Sequence, residues 1–250
     1  MSASQYLNKI GNIIKEIETQ GLGPIQEGAK RMAASIAAGR AVYYFGSGHS
    51  VLPALDVFPR YGSFVGLQPV HDPRLMWFNV IGPGGTPELL WIERQEGYIP
   101  NVLRYYNLDS RDTMIVFSHG GVNAAPVEMA LEAKKRGLSV IGITSLANRQ
   151  QITPTHSSEK ALADVADVAI DNGAPPQDSL ISLPGWEEPV AAASTVTAIV
   201  ISMALVAETA AQLSAQGVHV PTFISPNVLL DPDHNAKVYD HYREFRRKIL

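Results

Sequence analysis

The sequence predicts an α/β protein built on a parallel sheet. Two observations carry that prediction. The runs "TMIVF" (113–117), "SVIGI" (139–143) and "ADVAI" (166–170) are apolar throughout instead of alternating, and helical or glycine-punctuated segments separate most of the β-prone runs. Continuous apolarity marks strands buried on both faces, and strands alternating with helices have the crossovers that parallel pairing needs. A third observation bounds the size. With 250 residues, 46% hydrophobic and 18% charged, the chain can bury one proper core. A single domain over 1–250 is expected, with its core over about 35–215, N-terminal helices over 3–38 and a C-terminal tail over 216–250.

In chain order, "SQYLNKIGNIIKEIETQ" places Tyr6, Leu7, Ile10, Ile13, Ile14 and Ile17 at helical spacing, and a second helix follows Pro24 to about Ala38. Both read as packing or dimerisation helices. The first two strands are "AVYYF" (41–45) and "SFVGL" (63–67). The stretch 72–108, with "GPGGTPELLW" and "GYIPNVLRYYNL", is too long for a simple connection and predicts a small helical excursion near the strand ends. Residues 189–207 run for 19 positions without a charge, a length that could span a bilayer. Their Ala, Ser and Thr content, the flanking Glu187, Glu188 and Glu208, and the lack of basic or aromatic anchors favour a core helix.

Charge and composition exclude several classes of function. A formal charge of −4, with no dense basic cluster before Arg243, Arg246, Arg247 and Lys248, leaves no electrostatic footprint for nucleic acid. The absence of cysteine removes disulfides, thiolate metal sites and a thiol nucleophile, and fits a reducing cytoplasm. No secretory leader is expected from "MSASQYLNKIGN". No HExxH-like spacing gathers His and Asp into a metal site.

In an open parallel sheet, ligands bind outside the carboxyl ends of the strands. Two loops fall there. In "FGSGHSVLPALDVF", Gly46 and Gly48 permit a tight turn, Ser47 and Ser50 offer hydroxyls, and a following helix would present amides to an anion. In "VFSHGGVNAAPVEMALEAKKRG", Ser118, His119, Gly120, Gly121 and Asn123 occupy an equivalent loop. Both could merely turn a strand into a helix, but two serine-glycine loops after neighbouring strands favour phosphate binding. A dinucleotide fits less well, because Val51 stands where the fingerprint needs its third glycine, and no GxxxxGK[ST] loop is present. A phosphate without a nucleotide suggests a sugar phosphate.

These residues resemble the sugar isomerase (SIS) domain family. "GSGHS" (46–50) looks like its first phosphate loop, and "SHGGVN" (118–123) looks like its "SxSGxT" loop, followed by a similar "AxxxEMAxxAKxxGxxVIGITS" pattern through Ser145. "AAASTVTAIVISMAL", with Ser194 and Thr195, is similar to the late Ser-Thr motif that opens a central helix, and "PTFISPN" with "HNAKVYDHY" resembles an uncharacterised whole-chain branch. The resemblance implies a three-layer sandwich on a five-stranded parallel sheet, with N-terminal helices and a C-terminal helical tail. It implies that Gly46, Ser47, Gly48, Ser50, Ser118, His119, Gly120, Gly121, Asn123, Ser145, Ser194 and Thr195 bind phosphate or substrate. Gly120 stands where the family has its second serine, and Asn123 replaces the usual threonine.

Aldose–ketose isomerisation through an enediol needs one group that moves a proton between carbons and another that serves the oxygens, tasks suited to a carboxylate and a histidine. The expected carboxylate is Glu188, just before Ser194, with Asp56 on the first-loop helix second. The expected histidines are His49 and His119, and His234 resembles a position that reaches a partner subunit's site. The expectation is a cytoplasmic homodimer or homotetramer that isomerises a phosphosugar with no cofactor or metal and no nucleic-acid or membrane partner. Its alternatives are a non-catalytic phosphosugar sensor and a phosphosugar lyase or deaminase on the same scaffold.

Overall fold

The computed structural model describes residues 1–76, 85–228 and 231–249. Its sheet contains β1 (Val42–Gly46), β2 (Leu67–Pro69), β3 (Thr113–Phe117), β4 (Ser139–Thr144) and β5 (Val168–Asp171). They run in the order β2-β1-β3-β4-β5, every pair parallel. The register sets Gly46 beside Phe117, Phe117 beside Ile143, and Thr144 beside Asp171. The loops leaving β1, β3, β4 and β5 therefore emerge along one edge.

The two-residue period of a strand sorts the side chains into two layers. Val42, Tyr44, Ile115, Phe117, Ile141, Ile143, Val168 and Ile170 pack with helices α2 (Leu22–Ala37) and α9 (Ser194–Ala215). Tyr43, Phe45, Met114, Val116 and Val140 pack on the other side with α5 (Tyr98–Val102) and α6 (Ala124–Lys135). The result is the expected three-layer sandwich. At the amino-terminal end of the sheet, the buried Arg40 guanidinium donates from Nε and Nη2 to the Asp112 carboxylate, at 3.0 and 2.9 Å.

Strand starts differ by more than one residue at two places. The second strand begins at Leu67 instead of spanning 63–67, because Gly66 turns the chain with φ +124° and residues 62–65 pair elsewhere. Gly62 and Val65 donate to the carbonyls of Phe223 and Pro221, and Phe64 forms an antiparallel bridge with Thr222. The fifth strand begins at Val168 instead of Ala166. Asp167 turns back before it, its amide donating to the Val140 carbonyl and its carboxylate accepting from the Val140 amide.

The apolar segment at 189–207 divides into the end of a hairpin, β6 (Ser179–Ile181) with β7 (Val190–Ala192), and the start of α9. α9 is long and apolar enough to cross a membrane, and its Ile201, Leu205, Val206 and Leu213 are buried in the sheet core. The N-terminal helix α1 (Ser2–Gln20) buries Ile10 and Ile17, while Leu7 of the expected apolar stripe is 66% exposed. Ile10 packs with Leu180, Ile181 and Ala193 around the hairpin. In the tail, α10 (His234–Ile249) follows residues 220–228, and Phe223 meets the rings of Phe58, Tyr61 and Tyr239. Within the excursion, residues 77–84 lie outside the described residues. The excursion resumes at α4 (Gly85–Glu93).

Candidate functional site

The first loop leaves β1 and folds back on itself at once. A Cβ on Gly46 would lie 1.9 Å from the Ser50 carbonyl oxygen, so only glycine fits. Turn bonds hold the loop: Ser50 N–H donates to the Ser47 carbonyl, Val51 to Gly48 and Leu52 to His49. The helix that follows, α3 (Val51–Leu55), is only five residues long. Its opening amides are thus already used, and the expected free helix N-terminus for an anion is absent from this loop. Gly48 N–H donates to the Leu75 carbonyl at 2.8 Å, tying the loop to the start of the excursion.

The second loop is braced by the end of β4. Ser118 Oγ accepts from the Gly121 amide at 3.1 Å, the His119 carbonyl accepts from the Ser145 amide and the Thr144 hydroxyl, and the Gly120 carbonyl accepts from Asn148 Nδ2. Gly121 has φ +66°, and a Cβ there would lie 2.6 Å from Thr144 Oγ1. Gly120 has no such constraint. Its Cβ would meet Asn148 Nδ2 at 3.4 Å and Val122 Cγ2 at 3.9 Å, ordinary contacts.

A carboxylate joins the two loops. Glu93, the last residue of α4 and 8% exposed, accepts from Ser47 Oγ at 2.5 Å and from Asn123 Nδ2 at 3.1 Å. Two donors expected to meet a phosphate therefore meet an internal carboxylate. The chain around Glu93 is anchored from behind. On α6, the buried Glu128 accepts from the amides of Gly97 and Ile99, at 2.5 and 3.2 Å. Glu96 accepts from the amide and hydroxyl of Ser157, and these bonds hold its carboxyl below the usual carboxylate range. His156 Nε2 lies 3.8 and 3.9 Å from Glu96 and Glu128. On the excursion's first leg, Asp72 accepts from Arg74 and from Tyr98 Oη at 2.6 Å. Burial pushes the Asp72 carboxyl up, but the bonds from Arg74 and Tyr98 outweigh it and the net shift is downward. Burial and the adjacent carboxylate raise the Tyr98 phenol.

A narrow cleft opens between these loops and α9. Ser50, Ser118, His119, Asn172, Ser194 and Thr195 are its polar lining, Phe117, Ile143 and Ala198 its apolar lining, and about 10 Å³ of free space remains in it. Among the described residues no Lys or Arg lines it, so an anion here would depend on hydroxyl, amide and imidazole donors. The N-terminus of α9 is already occupied. Asp178 accepts from the amides of Ala193 and Ser194 at 3.1 and 2.7 Å and from Ser194 Oγ at 2.8 Å. The Ser194 hydroxyl, expected to bind phosphate or substrate, is thus already given to Asp178. Thr195 lines the cleft beside it.

Other expected site residues are placed elsewhere or otherwise engaged. Glu188 is exposed in the turn between β6 and β7, and Asp56 closes α3 with its carboxylate paired to Arg60 at 2.8 Å. Ser145 is fully buried, donates to the Ala174 carbonyl at 2.7 Å and caps α7 (Leu146–Arg149) through the Asn148 amide. His49 is exposed. His234 Nε2 donates to the Thr222 carbonyl of its own chain at 2.8 Å, which anchors the tail. No cluster of three or more His, Asp or Glu able to hold a metal occurs among the described residues.

The reading of the residues missed Glu93, Asn172 and Asp178. The acid in "WIERQEG" lay on the excursion already assigned to the strand ends, and "DNGAPPQD" directly follows the fifth strand. The rule that flagged the first two loops applied equally to both stretches.

Known proteins share sequence or fold with this chain. A family model described as the SIS domain matches residues 5–145. A UPF0309 protein of Oceanobacillus iheyensis is 32% identical over 240 residues, covering 96% of each chain, and one of Streptomyces coelicolor is 32% identical over 244, covering 97% of this chain and 95% of that one. Among solved structures, the phosphoheptose isomerase of Neisseria gonorrhoeae superposes with a TM-score of 0.54 at 13% identity, over 84% of this chain and 97% of that one. The phosphoheptose isomerase of Francisella tularensis gives 0.51 at 16% identity, over 83% and 95%. The parallel sheet, the two loops at its carboxyl edge and the matched sequence agree: the chain belongs to the SIS domain family, with UPF0309 proteins among its relatives.

Proposed function

We propose that this protein binds a phosphorylated sugar at the carboxyl edge of its sheet and isomerises it through an enediol. The observation that carries the reading is Glu93, a buried carboxylate held between two serine-glycine loops by Ser47 and Asn123. Each of its oxygens accepts one described bond and keeps a lone pair for a substrate proton. In this reading Glu93 replaces Glu188 and Asp56 as the group that takes the proton from one carbon and returns it to the next. The phosphate would sit toward Ser50, Ser118 and Thr195, away from the Glu93 charge. Space for about one water in the cleft means that side chains at the mouth rotate aside when a phosphate enters. Membership of the SIS family supports the substrate class, and the likeness to two phosphoheptose isomerases supports the fold that would present it. A cytoplasmic homodimer or homotetramer belongs to the same reading.

The test pairs binding with proton exchange. Melting temperature is measured against aldose and ketose phosphates of five to seven carbons and their unphosphorylated parents, and stabilising compounds are incubated in deuterated water. Stabilisation by the phosphates alone, with deuterium entering at the carbon beside the carbonyl, is expected. Stabilisation without exchange would make the protein a phosphosugar sensor. Equal response to phosphates and parents would remove the phosphate from the reading.

A further inference from the structure

His119 stands on the second loop with its two ring nitrogens in opposite circumstances. Nε2 lies 3.2 Å from the Pro176 carbonyl oxygen. A carbonyl can only accept, so Nε2 carries the hydrogen and Nδ1 of the neutral ring is a bare acceptor. Nδ1 is buried and has no hydrogen-bond partner among the described residues. Leaving such an acceptor unmet is costly, and a buried orphan at a site requires an explanation.

Both supports of the ring are fixed. The His119 carbonyl accepts from the Ser145 amide at 3.0 Å and the Thr144 hydroxyl at 3.2 Å. The segment carrying Pro176 is held by the Asn172 side chain at the Ala174 amide, by the Ser145 hydroxyl at the Ala174 carbonyl, and by the bond from Asp178 N–H to the Pro175 carbonyl. The backbone that carries the ring and the carbonyl it meets are therefore both held in place. His119 lines the cleft, which has about 10 Å³ of space, the room of a single oxygen. A ring offered as a neutral acceptor to one hydroxyl accounts for the hydrogen on Nε2, the orphaned Nδ1 and the one-oxygen space.

We propose that His119 is the hydroxyl-proton acceptor of this cleft, acting through Nδ1 while the Pro176 carbonyl holds the ring in its Nε2–H tautomer. The role rests on the isomerase reading above. Glu93 takes the C2 proton and the C1 carbonyl becomes an enediolate oxygen. The proton on O2 passes to His119 Nδ1 and from there to O1. The C2–O2 carbonyl forms as protonated Glu93 returns its proton to C1, so both residues end as they began. Without His119 the carbon proton can still be taken and returned, but the oxygens no longer exchange theirs efficiently.

The tautomer is read first, without any ligand, from long-range proton–nitrogen correlations of ¹⁵N-histidine-labelled protein, with His119→Gln assigning the resonance. A pyrrole-like Nε2 and a pyridine-like Nδ1 are expected. A hydrogen on Nδ1, or averaging of the two nitrogens, overturns the proposal. The role is read next with ribose 5-phosphate, arabinose 5-phosphate and glucose 6-phosphate. Glutamine at 119 keeps a donor for Pro176 and puts an amide oxygen, which accepts a hydrogen bond but cannot take the proton, in place of the basic nitrogen. It should cut ketose formation by about 10²-fold or more while deuterium exchange at C2 falls far less. Loss of both to the same degree, or of neither, overturns the relay. If the wild type exchanges no carbon proton with any sugar phosphate, the isomerase reading fails and the relay falls with it, whereas the ligand-free spectrum still decides the Pro176 lock.

Discussion

Glu93→Gln removes one negative charge from between the two loops and leaves the shape in place. In the wild type, Ser47 Oγ donates to Oε1 at 2.5 Å and Asn123 Nδ2 to Oε2 at 3.1 Å. Glutamine can keep both contacts, because its oxygen accepts from Asn123 and its amide donates to a Ser47 hydroxyl that rotates to accept. Each bond then changes from a charged one worth about 1.5–3 kcal/mol to a neutral one worth about 0.5–1.5. The sum is a loss of about 2 kcal/mol. At about 2–4 °C per kcal/mol for a chain of this size, melting should fall by about 4–8 °C. Glu93→Ala leaves both donors without an acceptor and should cost about 3–5 kcal/mol. Turnover separates structure from chemistry. An amide cannot accept the carbon proton, so Glu93→Gln should retain phosphosugar binding by isothermal titration and lose exchange at C2 by about 10²-fold or more. Glu188→Gln, at an exposed hairpin turn, should stay within about twofold of the wild type on both measures. A folded Glu93→Gln protein with wild-type exchange would refute the reasoning and leave Glu93 as a brace between loops.

Gly120→Ser adds a hydroxyl where the nearest neighbours of its Cβ are 3.4 and 3.9 Å away. It should fold normally and bind phosphosugars about 10- to 100-fold tighter by titration if its hydroxyl reaches the phosphate. Gly121→Ala, with φ +66° and a contact of 2.6 Å to Thr144 Oγ1, should lower the melting temperature without ligand. Asp112→Ala should destabilise by about 3–5 kcal/mol in urea unfolding, because it strands a buried guanidinium and removes the acceptor of the Ala41 and Asp109 amides. Asp72 has a folded-state carboxyl below its ordinary value of 3.8. Its contribution is present above that value and is lost as pH falls through the depressed one. Asp72→Asn should therefore reduce stability at neutral pH and flatten the acid side of the stability–pH curve.

The order of strands and helices was legible in the sequence because burial on both faces leaves a mark in every residue of a run. "TMIVF" and "SVIGI" admit little besides a central parallel strand, and the structure places β3 and β4 there. The second strand was misplaced for a reason invisible locally. "SFVGL" has the right composition, but its first residues pair with the tail more than 150 positions later, through Phe64 and Thr222.

The two loops were legible as well, since glycines and serines after a strand have few other uses. What their side chains do was not. Ser47 meets Glu93 across 46 positions, and Ser145 meets Ala174 across 29. A hydroxyl donates to the nearest acceptor in space, and no local pattern says which distant carboxylate or carbonyl that will be. Ser194 opens its helix as the motif suggested, yet its donors belong to Asp178, 16 residues away. Sequence by itself determined the parallel α/β sheet and the edge where the two loops lie, because those follow from local periodicity and turn chemistry, and its motifs carried the resemblance to the family. Only the tertiary structure decided which acid stands there, which hydroxyls are already committed and which nitrogen of His119 is left bare, because hydrogen-bond partners are settled by three-dimensional proximity.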